Sequence, residues 1–153
     1  MPVTGQAWFD KQWGDFLVYP QGGWDWFALQ LDDGWDLMIS IVRDATQQVV
    51  MAYGTLVDPA GQSTHLRAAE VHVKALGAWT SPRSGATYPS GWRIVVPQAG
   101  LDLQVTPVLE DQELVADDAT GLTYWEGQST VHGTRAGQPV RGLAYVELTG
   151  YAP

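Results

Sequence analysis

The chain has 153 residues, 45% of them hydrophobic and 16% charged, which is enough for one globular core and too apolar for a disordered segment. Eight Lys and Arg against 17 Asp and Glu leave a formal charge of −9, which disfavours nucleic-acid phosphates and anionic lipid surfaces as partners. There is no cysteine, so disulfides, zinc–thiolate sites and thiol nucleophiles are excluded.

Residues 3–10 read as a first strand. The opening MPVTGQAW has no basic n-region or apolar h-region, and no run is long enough for a transmembrane helix. A processed secreted chain would look the same, so the compartment stays open. Residues 11–23, KQWGDFLVYPQGG, are not strand-like and are expected to cover one end of the fold. WDWFALQL (24–31) and WDLMISIVR (35–43) alternate with period two, and Asp33-Gly34 between them signals a hairpin. QVVMAYGTLV (48–57) follows after a polar turn. Residues 63–76 form the next strand, with a break near Ala68-Ala69. Residues 77–91, rich in Gly, Ser, Pro and Thr, read as a long loop packed across something through Trp79 and Tyr88. Strands over 92–97, 101–109, 123–134 and 139–151 complete the chain. About nine short strands without intervening helices predict an antiparallel sandwich or an up-and-down barrel. A barrel removes exposed edges and can enclose one ligand.

Eight Trp and six Tyr outnumber three Phe. Trp and Tyr pair a large apolar body with a polar edge, which suits a pocket that orients an apolar ligand. Residues two apart on a strand share a face. Trp24 and Trp26 therefore pair, opposed by the row of Phe27. Tyr124, Glu126, Gln128, Thr130 and His132 share one face, opposed by Trp125. Tyr145, Glu147, Thr149 and Tyr151 form a third set. Polar rows of this kind are ordinarily the solvent face of a strand. Asp10 differs, because its same-face neighbour Trp8 is large and apolar. Two readings of Asp10 stand: a structural carboxylate holding backbone donors, or an acid whose pKa is raised for chemistry. The histidines His65, His72 and His132 are scattered, with no HExxH pattern. No nucleophile elbow or phosphate-binding glycine pattern is present. No metal or cofactor is expected.

Six stretches carry a resemblance: GQAWFDKQWG, GWDWFALQLDDGWDLM, WTSPRSGATYPSGW, DQEL, YWEG and GLAYVELTGY. In this order, over nearly the whole chain, they resemble the C-terminal half of AttH-like and carotenoid 1,2-hydratase (hydroxyneurosporene synthase) proteins. The resemblance implies an all-β, lipocalin-like antiparallel β-barrel of about nine strands, with residues 1–153 as a single barrel domain. Full-length members carry two barrels. A lone barrel is then expected to expose an apolar surface, covered by self-association as a homo-oligomer or by a missing N-terminal barrel. The family includes hydratases that add water across a terminal isoprenoid double bond, and fungal relatives that guide intramolecular Diels–Alder reactions. It includes secreted, periplasmic and membrane-associated members, so localisation stays open. One departure stands out: many relatives read closer to W-x-D-H-E-W, where this chain has Lys11-Gln12 after Asp10.

Alkene hydration needs a carboxylic acid kept neutral by apolar surroundings, π faces for the carbocation and controlled access of water. Asp10, Glu126 and Tyr124 are the candidate catalytic residues. Trp8, Trp24, Trp26, Trp79, Tyr88 and Trp125 are the candidate ligand walls. A pericyclic cyclase would need only shape, stacking and a donor such as Tyr88 or Tyr124. Three readings follow: an isoprenoid or polyene pocket with lyase chemistry, a non-catalytic binding domain for an apolar small molecule, and a structural half-domain.

Overall fold

Alternating apolar side chains build one antiparallel sheet. The computed structural model describes residues 2–5, 7–9, 11, 22–115 and 123–152. Its strands are β1 (Gly23–Leu31), β2 (Asp36–Arg43), β3 (Val49–Val57), β4 (Ser63–Arg67), β5 (His72–Thr80), β6 (Thr87–Val96), β7 (Leu101–Pro107), β8 (Glu113–Leu114), β9 (Tyr124–Arg135) and β10 (Gln138–Thr149). They form a 10-stranded sheet in the order β4-β3-β2-β1-β10-β9-β7-β6-β5, with β8 paired to β9. The sheet curls into a lipocalin-like half-barrel whose edges are β4 and β5. The Asp33-Gly34 hairpin forms as expected: Gly34 takes φ +84° and donates to the Leu31 carbonyl at 3.1 Å.

A single curled sheet buries one face against itself, on the concave side. Phe27, Leu29, Leu37, Ile39, Trp92 and Val146 fill that side with at most 1% of their surface exposed. Phe27, Trp92 and Trp125 continue edge-to-face at 5.5 and 6.1 Å between ring centres. Among the described residues the concave side is thus a packed core.

Three local expectations need correction. Residues 3–5 and 7–9 form no strand. Both sides of β1 are already taken, by β2 and β10, so this segment meets the sheet face with the Trp8 side chain rather than an edge with its backbone. Residues 77–91 are not a long loop. They are the end of β5, a tight turn and the start of β6, with Trp79 opposite Tyr88 and Thr80 opposite Thr87. Pro89 is tolerated because the β6–β7 ladder runs only over residues 92–96 of β6. Tyr151 does not share the face of Glu147. Gly150 takes φ +74° just after β10, and the Tyr151 hydroxyl reaches Asp25 on the concave side.

The break near Ala68-Ala69 is a 3₁₀ turn over Ala68–Glu70, closed by Glu70 accepting from the Arg67 N–H at 2.8 Å. No helix among the described residues is long and apolar enough to cross a membrane. Gly142 sits where β10 passes β1, and a Cβ there would lie 2.2 Å from the Gln30 carbonyl oxygen. Gly142→Ala is expected to force the strands apart and cost about 2–3 kcal/mol, read as a lower urea midpoint.

Candidate functional site

The convex face of β1 is as apolar as its core face. Trp24, Trp26 and Ala28 point outward there, each opposite a β2 residue: Val42, Ser40 and Met38. On the other side Trp26 faces Glu147 of β10. Trp8 packs edge-to-face on Trp26, with 6.0 Å between ring centres and planes at 76°. Together these groups enclose a cavity of about 510 Å³ that reaches Met51, Tyr53 and Thr55 on β3. This size suits a small apolar ligand. Lys11 also lines it. Glu147 is the carboxylate among the described wall residues, and the Trp24 Nε1–H donates to Glu147 Oε1 at 3.1 Å.

Glu147 lies directly opposite Glu126 of β9. Tyr124 and Tyr145 stand on the same face. Burial raises the Tyr124 phenol, and the charges of Glu126 and Glu147 raise it further. Burial likewise raises Tyr145, with Glu126 the next contributor. The two carboxylates and two phenols thus form one electrostatic cluster beside the cavity. Beyond Trp8, a second cavity of about 390 Å³ is lined by Ala28, Gln30, Gln128, Leu143 and Tyr145.

The predicted site residues divide between the two faces of the sheet. Trp8, Trp24 and Trp26 meet in the outer cavity, and Glu126 and Tyr124 lie on the same face next to Glu147. Trp79, Tyr88 and Trp125 do not join them. Tyr88 is 1% exposed and Trp125 2%, both in the concave core, and Trp79 stacks on Tyr88 at 6.2 Å. The Trp125 Nε1–H is taken by the Glu110 carbonyl at 2.6 Å. Asp10 and Gln12 lie outside the described residues.

The concave side also holds ionisable groups at one end, of which Arg43 reaches the outer cavity as well. The Tyr151 hydroxyl donates to Asp25 Oδ1 at 2.9 Å, and Arg43 pairs with the same oxygen at 2.8 Å. Burial raises Asp25, against the opposing pull of Arg43 and Tyr151. Tyr88 packs on Tyr151 and donates to Glu113 at 3.0 Å. Burial pulls Glu113 upward, but the hydroxyls of Ser81, Ser84 and Tyr88 and the Arg83 charge outweigh it and hold Glu113 below its ordinary value. Burial and the neighbouring carboxylates raise both tyrosines, Tyr88 and Tyr151.

Sequence reasoning missed Glu147 as a wall residue, because its row reads as a solvated strand face. The available signal was Trp24 and Trp26, which make the neighbouring convex face apolar once β1 and β10 pair. Met38, Met51 and Tyr53 carried no comparable signal, since strand order brings them in.

The family model of AttH-like proteins matches residues 1–151. The fold is similar to the crystal structure of an AttH protein from Nitrosomonas europaea, with a TM-score of 0.75 and 36% identity over 89% of this chain. It is also similar to kievitone hydratase from Nectria haematococca, with a TM-score of 0.74 and 26% identity over 91% of this chain. The chain spans only 41% and 42% of the lengths of those two proteins. No curated protein matches the sequence at a significant level. A family match over nearly all residues, joined to a lipocalin-like fold shared with a hydratase, places the chain in the AttH-like family.

Proposed function

We propose that the outer-face cavity binds an apolar isoprenoid- or polyene-like molecule and that Glu147 acts there as the acid for adding water to a carbon–carbon double bond. One observation carries this reading: a carboxyl group stands in a tryptophan-lined wall and is oriented by the Trp24 indole N–H. The carboxylic acid of Glu147 gives its proton to the less substituted alkene carbon, and the π pair becomes the new C–H bond. The cation left on the other carbon lies against the faces of Trp8, Trp24 and Trp26. Water adds to that cation. The surplus proton of the resulting oxonium passes to Glu126 and back to Glu147, so the net change is alkene plus water to alcohol. The structural neighbour named a hydratase supports water addition as the chemistry.

A non-catalytic carrier for the same ligand class is the second reading. It is favoured by Lys11, which lines the cavity where the family pattern places histidine. Glu147→Gln separates the two, because it keeps the shape and an oxygen acceptor for Trp24 but removes the acid. Turnover of a terminal isoprenoid alkene is expected to fall about 100-fold, with saturable quenching of Trp fluorescence retained. Full turnover in Glu147→Gln would remove Glu147 from the chemistry. Saturable binding without turnover in the unmutated protein would leave the carrier.

A further inference from the structure

Trp8 lines both convex-face cavities. The floor beneath it is continuous. Trp26 and Ala28 lie two residues apart on β1, and Glu147 and Tyr145 two apart on β10, all on the convex face and in register with one another. The first cavity spans β3, β2, β1 and β10. At the usual strand spacing that is about 14 Å across. The second continues over β1, β10 and β9. With both, the trough crosses five strands, about 19 Å.

We propose that the two cavities are one binding trough for an elongate apolar chain, and that the Trp8 side chain is the partition that selects ligand length. The inference rests on reading the first cavity as an apolar-ligand site. Trp8 belongs to a segment, residues 7–9, with no strand pairing, so moving its ring breaks no sheet ladder. Its ring meets Trp26 through an edge, and the small Ala28 leaves depth on the far side. Both cavities pair apolar walls with hydrogen-bond donors. The first carries Trp24, Trp26, Met38 and Met51 beside Ser40 and Tyr53. The second carries Ala28 and Leu143 beside Gln30, Gln128 and the Tyr145 phenol. The ligand class is therefore a long, largely apolar chain that lies across both. A molecule short enough for the first cavity alone has no use for the second.

Calorimetric titration with decanol and octadecanol tests this in the full chain. Trp8→Ala opens the partition and is expected to raise the octadecanol-to-decanol affinity ratio about tenfold. Trp8→Phe should give a smaller rise in the same direction. Leu143→Trp added to Trp8→Ala fills the second cavity and should return the ratio to its starting value. Far-UV circular dichroism and melting of each variant show that the fold is kept. Equal weakening for both alcohols in Trp8→Ala would overturn the partition, as would a gain that survives Leu143→Trp. If the unmutated protein binds both alcohols and only the ratio fails to move, this inference falls alone. If it binds neither, the reading of the first cavity falls and takes this one with it.

Discussion

Arg43→Met should destabilise the fold by about 3–5 kcal/mol, because it leaves a buried carboxylate without its cation. The Arg43 side chain is 7% exposed and its partner Asp25 14%. Nη2 donates to Asp25 Oδ1 and to the Thr149 carbonyl, both at 2.8 Å, and Nη1 donates to Gln47. The guanidinium also lies 4.2 Å from the centre of the Tyr151 ring. Methionine replaces much of the volume but none of these bonds. Asp25→Asn in the Arg43→Met background should recover most of the loss, since the unpaired charge is then gone. The pH dependence has a definite sign. Folding raises Asp25 above its ordinary 3.8, chiefly by burial, and Arg43 opposes that rise. Without Arg43 the carboxyl climbs further. The deficit of the variant is therefore full above the raised value and shrinks as pH falls toward 3.8. Urea unfolding of both proteins across this range measures it. A deficit that stayed constant on acidification would show that Arg43 acts through packing rather than charge.

The sheet was legible in the sequence because its signal is local. Period-two alternation and the Asp33-Gly34 turn place β1 and β2 within a residue or two. The hairpin of β5 and β6 was hidden by composition. Its Gly, Ser, Pro and Thr residues describe a loop, whereas what pairs the strands is the contact of Trp79 with Tyr88. The site was legible only by halves. Strand parity puts Trp24 with Trp26 and Glu126 with Tyr124, but parity does not say which face of β1 is the core. Both faces are apolar, and only the curl of the sheet decides that Phe27 goes in and Trp26 out. Glu147 becomes a site residue through its register with Trp26, a contact between positions more than a hundred residues apart. Gly150 shows the opposite limit. One residue at positive φ ends the alternation, and Tyr151 joins Asp25 and Arg43 instead of Glu147.

Glu113→Ala is the other substitution with a large expected effect, about 3–4 kcal/mol at neutral pH. Glu113 belongs to the two-residue strand β8, and its side chain is 0% exposed. It accepts from the Ser81 hydroxyl, from Ser84 at 2.5 Å and from the Tyr88 hydroxyl at 3.0 Å. Arg83 in the same turn donates to the Glu113 backbone carbonyl at 2.6 Å. One carboxylate thus ties the β5–β6 turn to β8 and, through β8, to the start of β9. Hydrogen bonds to a charged acceptor are worth more than neutral ones, and the buried hydroxyls of Ser81 and Tyr88 and the half-buried one of Ser84 lose theirs together. Glu113→Gln keeps one acceptor oxygen and should lose roughly half as much. Here the sign with pH follows from a folded value held below the ordinary 4.5. The stabilisation is complete above 4.5 and is lost as pH falls through the lowered value. The Arg43→Met deficit recovers above the ordinary carboxylate value, whereas the Glu113→Ala deficit should begin to recover only below it. Urea midpoints at neutral pH, at about pH 4.5 and at about pH 3 separate the two windows. A Glu113→Ala deficit that stayed constant between them would mean that the hydroxyls bind a neutral acid, and the ionised tie would have to be given up.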